Sequence, residues 1–348
     1  MKKIRKILAS TFLFATRVFM VDMIFRAINR KKILIYMLHG VVDDSDLNVT
    51  AWKPLGRHMR QGEFKKSLLT LANKYTFISL EQAVKIINGE CPPVNNAAVL
   101  TFDDGMLNAY QNVNEVLTEM KIPATFYVAT SYADKQKSYW FHSLDYAIQK
   151  NNGLNEILNA DKNLSERVKG FKGKKKIFSQ IKKYLKTNYP NDYDLQKIVE
   201  SMILSIDKSL PDEIDKMAKK DPWLGVMGWK EIKAMRDNGF EIGSHTINHV
   251  RLDGVSEEDM RKELKQSKEI ICKELIEEGI SFCYPNGNYN NVVINCVKET
   301  GYTSAVTGEP GLNQIGENLM ALKRINFPAK YNKQKLLLQA SGLYRYFL

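Results

Sequence analysis

The chain has 348 residues, 44% of them hydrophobic, and a formal net charge of +12. That length holds one large α/β domain with insertions or two smaller ones, and the apolar share is ordinary for a globular protein with a full core. The positive excess points to anionic surroundings, a membrane surface or an acidic polymer. Nucleic acid is excluded as the expected partner, because the lysines are spread widely and no arginine-rich run or RNA-binding signature is present. Cys91, Cys272, Cys283 and Cys296 have neither CxxC nor zinc-finger spacing. They read as reduced structural residues, which favours a reducing compartment.

Residues 1–32 form the first segment. Four positive charges in Met1–Lys6 precede a mostly apolar stretch from Ile7 to Phe25, broken by Arg17 and Asp22 and closed by Arg26, Arg30, Lys31 and Lys32. Two central charges weigh against a spanning helix, and no clean cleavage site follows Ile7–Ala15. The expectation is a basic, apolar interfacial helix, with a marginal anchor as the alternative. Ile33–Leu38 then reads as a buried strand ending in His39-Gly40, and Glu63–Lys74 as a helix with Phe64, Leu68, Leu71 and Ala72 on one face. A short strand at 77–80, a helix at 81–88 and a strand at 97–102 follow. Helical spacing over Asn108–Met120 and a strand at Pro123–Val128 complete a strand–helix rhythm that implies parallel strands.

Residues 133–225 break that rhythm. They are lysine-rich and helical in pattern, with stripes at Ile177, Ile181, Tyr184 and Leu185 and at Leu195, Ile198, Met202 and Ile203. This is a helical insertion between the two parts of the main domain, residues 33–132 and 226–328. The rhythm resumes with a helix from Trp229 to Asn238 and a strand at Phe240–Gly243 that runs into Ser244-His245-Thr246-Ile247-Asn248-His249. A long helix from Ser256 to Glu278, a strand at Ile280–Tyr284 ending in Pro285-Asn286-Gly287, a helix at 291–300 and a strand at 303–306 come next. Residues 329–348 make a basic-aromatic tail with Leu336, Leu337, Leu338, Tyr344, Tyr346 and Phe347.

The polar groups at strand ends carry the chemistry. They are His39, Asp103 with Asp104 after the apolar run Ala97–Phe102, His245 with His249, and Pro285-Asn286-Gly287. Active sites of α/β folds lie at this end of the strands. Histidines four apart on a helical turn point the same way and can share one cation. Two histidines and one carboxylate with open positions form a catalytic set for zinc or another divalent metal, and a second carboxylate is then the natural general base. Alone, Asp-Gly is a turn signal and HxxxH a weak one; together at the ends of parallel strands they are much stronger.

The order Thr-Phe-Asp-Asp-Gly, Ile-Pro-Ala-Thr-Phe-Tyr-Val, Gly-Phe-Glu-Ile-Gly-Ser-His-Thr-Ile-Asn-His and Phe-Cys-Tyr-Pro-Asn-Gly resembles the polysaccharide deacetylases (carbohydrate esterase family 4, the NodB-homology domain). The resemblance implies a distorted, incomplete (β/α) barrel, here with a helical insertion. It implies metal-dependent hydrolysis of sugar N-acetyl groups. Carried over, Asp103 is the general base, and Asp104, His245 and His249 are the metal ligands. Tyr284, Pro285 and Asn286 belong to the oxyanion and substrate segment, with the Asn286 N–H as oxyanion donor. The implied cofactor is a divalent ion, zinc first, with cobalt, nickel or manganese as alternatives.

Two departures matter. No histidine follows His249, so the expected general acid is His39, as in a branch that places this histidine near the N-terminus; Leu38 stands where that branch has tyrosine. Cys283 stands where many members have an arginine that contacts the base, and Arg324 is the replacement to look for. His58 and His142 read as loop or insertion residues. The expected substrate is an N-acetylated glycan of a bacterial envelope or its lipid-linked precursor, met at a membrane surface, on the cytoplasmic face if the thiols are a guide. A catalytically inactive glycan-binding module of the same fold is the rival reading.

Overall fold

The computed structural model describes residues 20–43, 52, 54–55, 59–150, 152–277 and 279–343. Its strands are β1 (Ile33–Leu38), β2 (Val41–Val42), β3 (Met59–Arg60), β4 (Thr76–Phe77), β5 (Ala97–Phe102), β6 (Ala124–Val128), β7 (Glu241–Ser244), β8 (Phe282–Cys283), β9 (Ala305–Val306), β10 (Leu312–Asn313) and β11 (Ile325–Asn326). The main sheet runs β10-β1-β5-β6-β7-β8-β9, with β11 on β1 and β4 on β5, and every pairing except β1–β10 is parallel. β2 and β3 form a separate pair. The strands of the described residues form an α/β, parallel-rich sheet and not a closed barrel; an isolated parallel bridge joins Val306 of β9 to Leu322.

The sequence dictates this order through burial. β5 reads Ala-Ala-Val-Leu-Thr-Phe, and all six residues are buried, as a central parallel strand covered on both faces requires. Phe102 stacks on Phe126 of β6 at 4.7 Å between ring centroids, and Phe64 of the Gln61–Ala72 helix meets Phe102 edge-on. The crossover from β7 to β8 is the helix Glu257–Leu275; the Ser256 hydroxyl accepts from the Asp259 N–H at 3.1 Å and three acids fill the first turn. Both features stabilise a helix N-terminus.

Several boundaries differ from expectation. The strand expected at 77–80 is only Thr76–Phe77, because Ser79 accepts from the Gln82 N–H and caps a helix that begins at Leu80. The single helix expected over 108–120 is two, Leu107–Asn112 and Asn114–Met120, separated by a turn at Val113, whose φ of −109° is stretched although it stays in the right-handed helical region. The expected tail is largely part of the fold: Asn332 caps a helix Lys333–Leu338, and Leu336, Leu337 and Leu338 are buried. Tyr344, Tyr346 and Phe347 lie outside the described residues, as does the stretch 1–19.

The insertion is helical, with segments at Trp140–Gln149, Gly153–Ala160, Lys162–Val168, Lys174–Asn188, Asp192–Ile206 and Leu210–Ala218. It has its own apolar cluster, containing Ile181, Leu185, Leu195, Met202 and Ile203 from the two stripes. Polar clamps hold it on the sheet domain. Arg251 donates to both Asp192 oxygens (Nε 2.9 Å and Nη2 2.7 Å to Oδ1, Nε 3.1 Å to Oδ2), and also to the carbonyls of Lys186 and Tyr189.

Candidate active site

The parallel register brings the strand ends to one rim. Leu38 pairs with Phe102, and the Asp103 N–H donates to the Leu38 carbonyl at 2.8 Å, which sets Asp103 beside His39. Val128 pairs with Ser244, and the His245 N–H donates to the Val128 carbonyl at 2.9 Å. His39, Asp103, Asp104, His245, His249 and Asn286 all line one cavity of ≈ 470 Å³.

Asp104 leaves β5 in the left-handed region, φ 70°, followed by Gly105 at φ 55°. The Tyr139 hydroxyl fixes this turn by donating to the Asp104 carbonyl at 2.7 Å. At Gly105 the positive φ favours glycine, and a Cβ would come 3.0 Å from a Val128 methyl, a tight contact. The turn presents the Asp104 Oδ1 at 3.4 Å from His245 Nε2 and 3.2 Å from His249 Nε2.

The histidine pair is not on a helical turn, which corrects the geometry expected from its spacing. Residues 245–250 are loop, with Thr246 at φ 69° and His249 at φ 52°. A buried carboxylate holds them instead. Glu263 accepts from the Ile247 N–H (2.7 Å), the Asn248 N–H (2.9 Å), the Asn248 amide (2.7 Å) and the Tyr193 hydroxyl (2.5 Å). The insertion therefore braces the loop through Tyr193, and again through Gln196, which donates to the Asn248 carbonyl.

The donor atoms of Asp104, His245 and His249 lie within 4.8 Å of one another, and all three residues are buried. His245 Nδ1 sits 2.7 Å from the Cys283 carbonyl and donates to it, which leaves Nε2, beside Asp104, as the nitrogen that would ligate a cation on losing its proton. The His249 Nδ1 is buried without a partner among the described residues. Two imidazoles and one carboxylate fit a tetrahedral divalent ion with an open position. A second trio, Asp103, His245 and Cys283, has similar spacing. It is a poor cation site, because the Arg324 guanidinium already lies against both Asp103 and Cys283.

Arg324 is 1% exposed and reaches the site from the segment before β11. It donates to Asp103 Oδ1 at 2.7 Å and Oδ2 at 2.8 Å, to Thr101 Oγ1 at 2.9 Å, to the Thr307 carbonyl at 2.8 Å and to Cys283 Sγ at 3.2 Å. Cys283 thus leaves the space, and Arg324 supplies the guanidinium on the Asp103 carboxylate. Burial alone raises the Asp103 carboxyl, but the Arg324 charge and hydrogen bonds outweigh it and hold the group below its ordinary range. Burial also raises Asp104, and the hydrogen bonds from His245 and His249 outweigh it further, so Asp104 is ionised. Burial pushes both imidazoles down and prevails at His249; at His245 the Cys283 and Asp104 neighbours reverse it.

Asn286 is left-handed at φ 58°, and its N–H has no acceptor among the described residues. Tyr284 and Pro285 do not reach the cavity. The Tyr284 hydroxyl donates to the Met320 carbonyl at 2.8 Å and its ring stacks on Tyr289, so both residues serve to place Asn286. His58 lies outside the described residues. His142 lines the cavity, where burial pushes it down to about 4. The sequence reading missed the cavity wall built by the insertion: Phe141, His142, Asp145, Phe178, Lys182 and Lys186. The signal was available, since Phe178, Lys182 and Lys186 stand at i, i+4 and i+8 on one face of a helix.

Parallel strands that end in a carboxylate, a second carboxylate held by arginine and a histidine pair define a hydrolase-like α/β fold with a candidate metal centre. The polysaccharide deacetylase family model matches residues 92–167 and 179–305, and the chain belongs to that family. It is 31% identical over 96 residues to a Bacillus subtilis protein described as a polysaccharide deacetylase, YxkH, covering 28% of this chain and 34% of that one. It is 31% identical over 75 residues to the peptidoglycan-N-acetylglucosamine deacetylase of Bacillus cereus, covering 22% of this chain and 35% of that one. These matches span about a third of each relative. Among solved structures, the Streptococcus pyogenes deacetylase PplD in complex with acetate aligns with a TM-score of 0.58 at 19% identity, over 89% of this chain and 99% of that one. IcaB from Ammonifex degensii aligns at 0.56 and 14% identity, over 90% and 98%. At these identities the structural likeness speaks to the fold.

Proposed function

We propose that the protein is a divalent-metal hydrolase that removes acetyl groups from an N-acetylated sugar of an envelope glycan or its lipid-linked precursor. The observation that carries this reading is the buried Asp104–His245–His249 cluster beside an Asp103 carboxylate held ionised by Arg324, in a chain of the deacetylase family. Asp104, His245 and His249 would hold the metal, with zinc best matched to the donor set. When bound, such an ion polarises the acetyl carbonyl and acidifies water.

The residues of the chain do the rest. Asp103 accepts the proton of the attacking water as general base; its ionised state follows from Arg324, which holds it without competing for the proton. The Asn286 N–H donates to the oxygen of the acetyl group as negative charge develops there. His39, exposed at the rim of the same cavity, donates the proton that the leaving amine requires. The amide C–N bond breaks, acetate leaves, and the amine stays on the sugar.

Association with a membrane surface belongs to the same proposal. Among the described residues no helix is long and apolar enough to cross a membrane. The helix Val21–Ile28 buries none of its residues, and Met20, Met23, Ile24 and Ile28 are exposed, the last at 70%, next to Arg26, Arg30 and Lys31. An apolar stripe with basic neighbours suits an interface. Fractionation at low salt tests it: full-length protein found entirely in the soluble fraction refutes the membrane half of the reading. Acetate release from N-acetylated oligosaccharides by metal-loaded protein tests the catalytic half, and stoichiometric metal with no acetate from any of them favours a glycan-binding module.

A further inference from the structure

The helix Lys174–Asn188 passes over the catalytic cavity and contributes Phe178, Lys182 and Lys186 to its lining. Two ammonium groups one helical turn apart repel each other, and partial burial strips both of water. Neither forms an ion pair with a carboxylate among the described residues. Lys182 lies over the Phe178 ring, 4.8 Å from its centroid, which does not neutralise its charge. Among the described residues Lys186 donates to the neutral Asn286 amide oxygen. Asp145, which accepts from the Leu55 N–H and the Gln149 amide at 2.8 Å each, acts on Lys182 through its charge, and Asp192, which also acts on Lys186, is ion-paired with Arg251.

The formal charges of the lining support the same conclusion. Asp103, Asp104 and Asp145 are matched by Arg324, Lys182 and Lys186, three against three, so a divalent ion held by Asp104 and neutral His245 and His249 would leave the cavity with an excess of two positive charges. A neutral sugar offers nothing to balance that excess.

Resting on the deacetylase reading, we propose that Lys182 and Lys186 form an anion subsite, and that the sugar to be deacetylated carries a phosphate or carboxylate close to its acetamido group. The shared chemistry is an anionic oxygen group. A phosphate on the anomeric carbon and a carboxylate on a neighbouring sugar are its two sources.

The test uses full-length, metal-loaded protein and two matched substrate pairs: N-acetylglucosamine 1-phosphate against methyl N-acetylglucosaminide, and a hyaluronan tetrasaccharide against chitotetraose. At low salt, kcat/KM for the anionic member of at least one pair exceeds that of the neutral member by roughly tenfold or more, through KM. Which pair shows the preference identifies the source of the anion. Added salt shrinks the ratio. In Lys182→Gln/Lys186→Gln the ratio falls to near one, and in Lys182→Arg/Lys186→Arg it stays well above one. A wild-type ratio near one in both pairs overturns the proposal, as does a Gln double variant that lowers both members equally, which makes the lysines structural. If no sugar loses acetate, the deacetylase reading fails separately. Calorimetric binding of N-acetylglucosamine 1-phosphate against methyl N-acetylglucosaminide, in wild type and the Gln double variant, then decides the subsite.

Discussion

Replacing Arg324 with methionine removes the cation that holds Asp103. Arg324 makes five hydrogen bonds, two of them to the Asp103 carboxylate at 2.7 and 2.8 Å, in a site where both side chains are almost fully buried. Removing one partner of such a pair costs about 3–5 kcal/mol, because the other charge stays buried and unpaired. The pH dependence has a definite sign. In the wild type the folded Asp103 carboxyl is below its ordinary value, so its contribution is complete above the unfolded pKa and lost as pH falls through the folded one. In Arg324→Met burial, the largest influence, is opposed only by the His39 and His245 charges and raises the carboxyl, so the variant is weakest above that raised value and recovers as the carboxyl takes up a proton. Urea denaturation at neutral and mildly acidic pH measures both effects. The double variant Asp103→Asn/Arg324→Met regains part of the loss, giving a coupling of more than about 1 kcal/mol. A single variant that loses less than about 1 kcal/mol, or strict additivity in the double, refutes the reasoning.

The remaining expectations concern the cavity. Asp104→Ala, His245→Ala and His249→Ala each lose bound metal and acetate release together; retention of stoichiometric metal, read by elemental analysis, contradicts the assigned ligands. His39→Ala keeps its metal and loses roughly 10²-fold or more in kcat if it is the general acid, and wild-type turnover returns it to a packing role. Burial, aided by Lys182 and Arg251 and opposed by Asp192 and Asp104, pushes the Lys186 ammonium down to about 8. The group is charged below that value and neutral above it, so the preference for an anionic substrate declines between pH 7 and 9. A preference constant over that range contradicts a charged Lys186 in the subsite.

Legibility in the sequence followed locality. β5 and its Asp-Asp-Gly end were readable because six buried residues and the turn chemistry are contiguous. His245 and His249 were readable as a pair from spacing, but not as a loop, because the carboxylate that shapes the loop, Glu263, lies in the following helix. The absence of the expected arginine at Cys283 pointed to Arg324, yet only the fold shows that a residue 221 positions from Asp103 closes on it. The insertion hid its part most thoroughly. Its apolar stripes were legible from periodicity, whereas the Phe178–Lys182–Lys186 face gains meaning only from the cavity it covers. The buried leucines at 336–338 show the same limit, since a basic, aromatic composition gave no sign of docking.

The division of labour at the Asp103–Asp104 pair is the point most directly open to measurement. Metal content and acetate release are determined together for wild type and Asp103→Asn on an N-acetylated substrate. The expected result is equal, stoichiometric metal in both proteins, with acetate released by the wild type and turnover reduced at least roughly 10²-fold in the variant. Turnover of the wild-type order in metal-loaded Asp103→Asn would contradict Asp103 as the base, and with it the reading of the site.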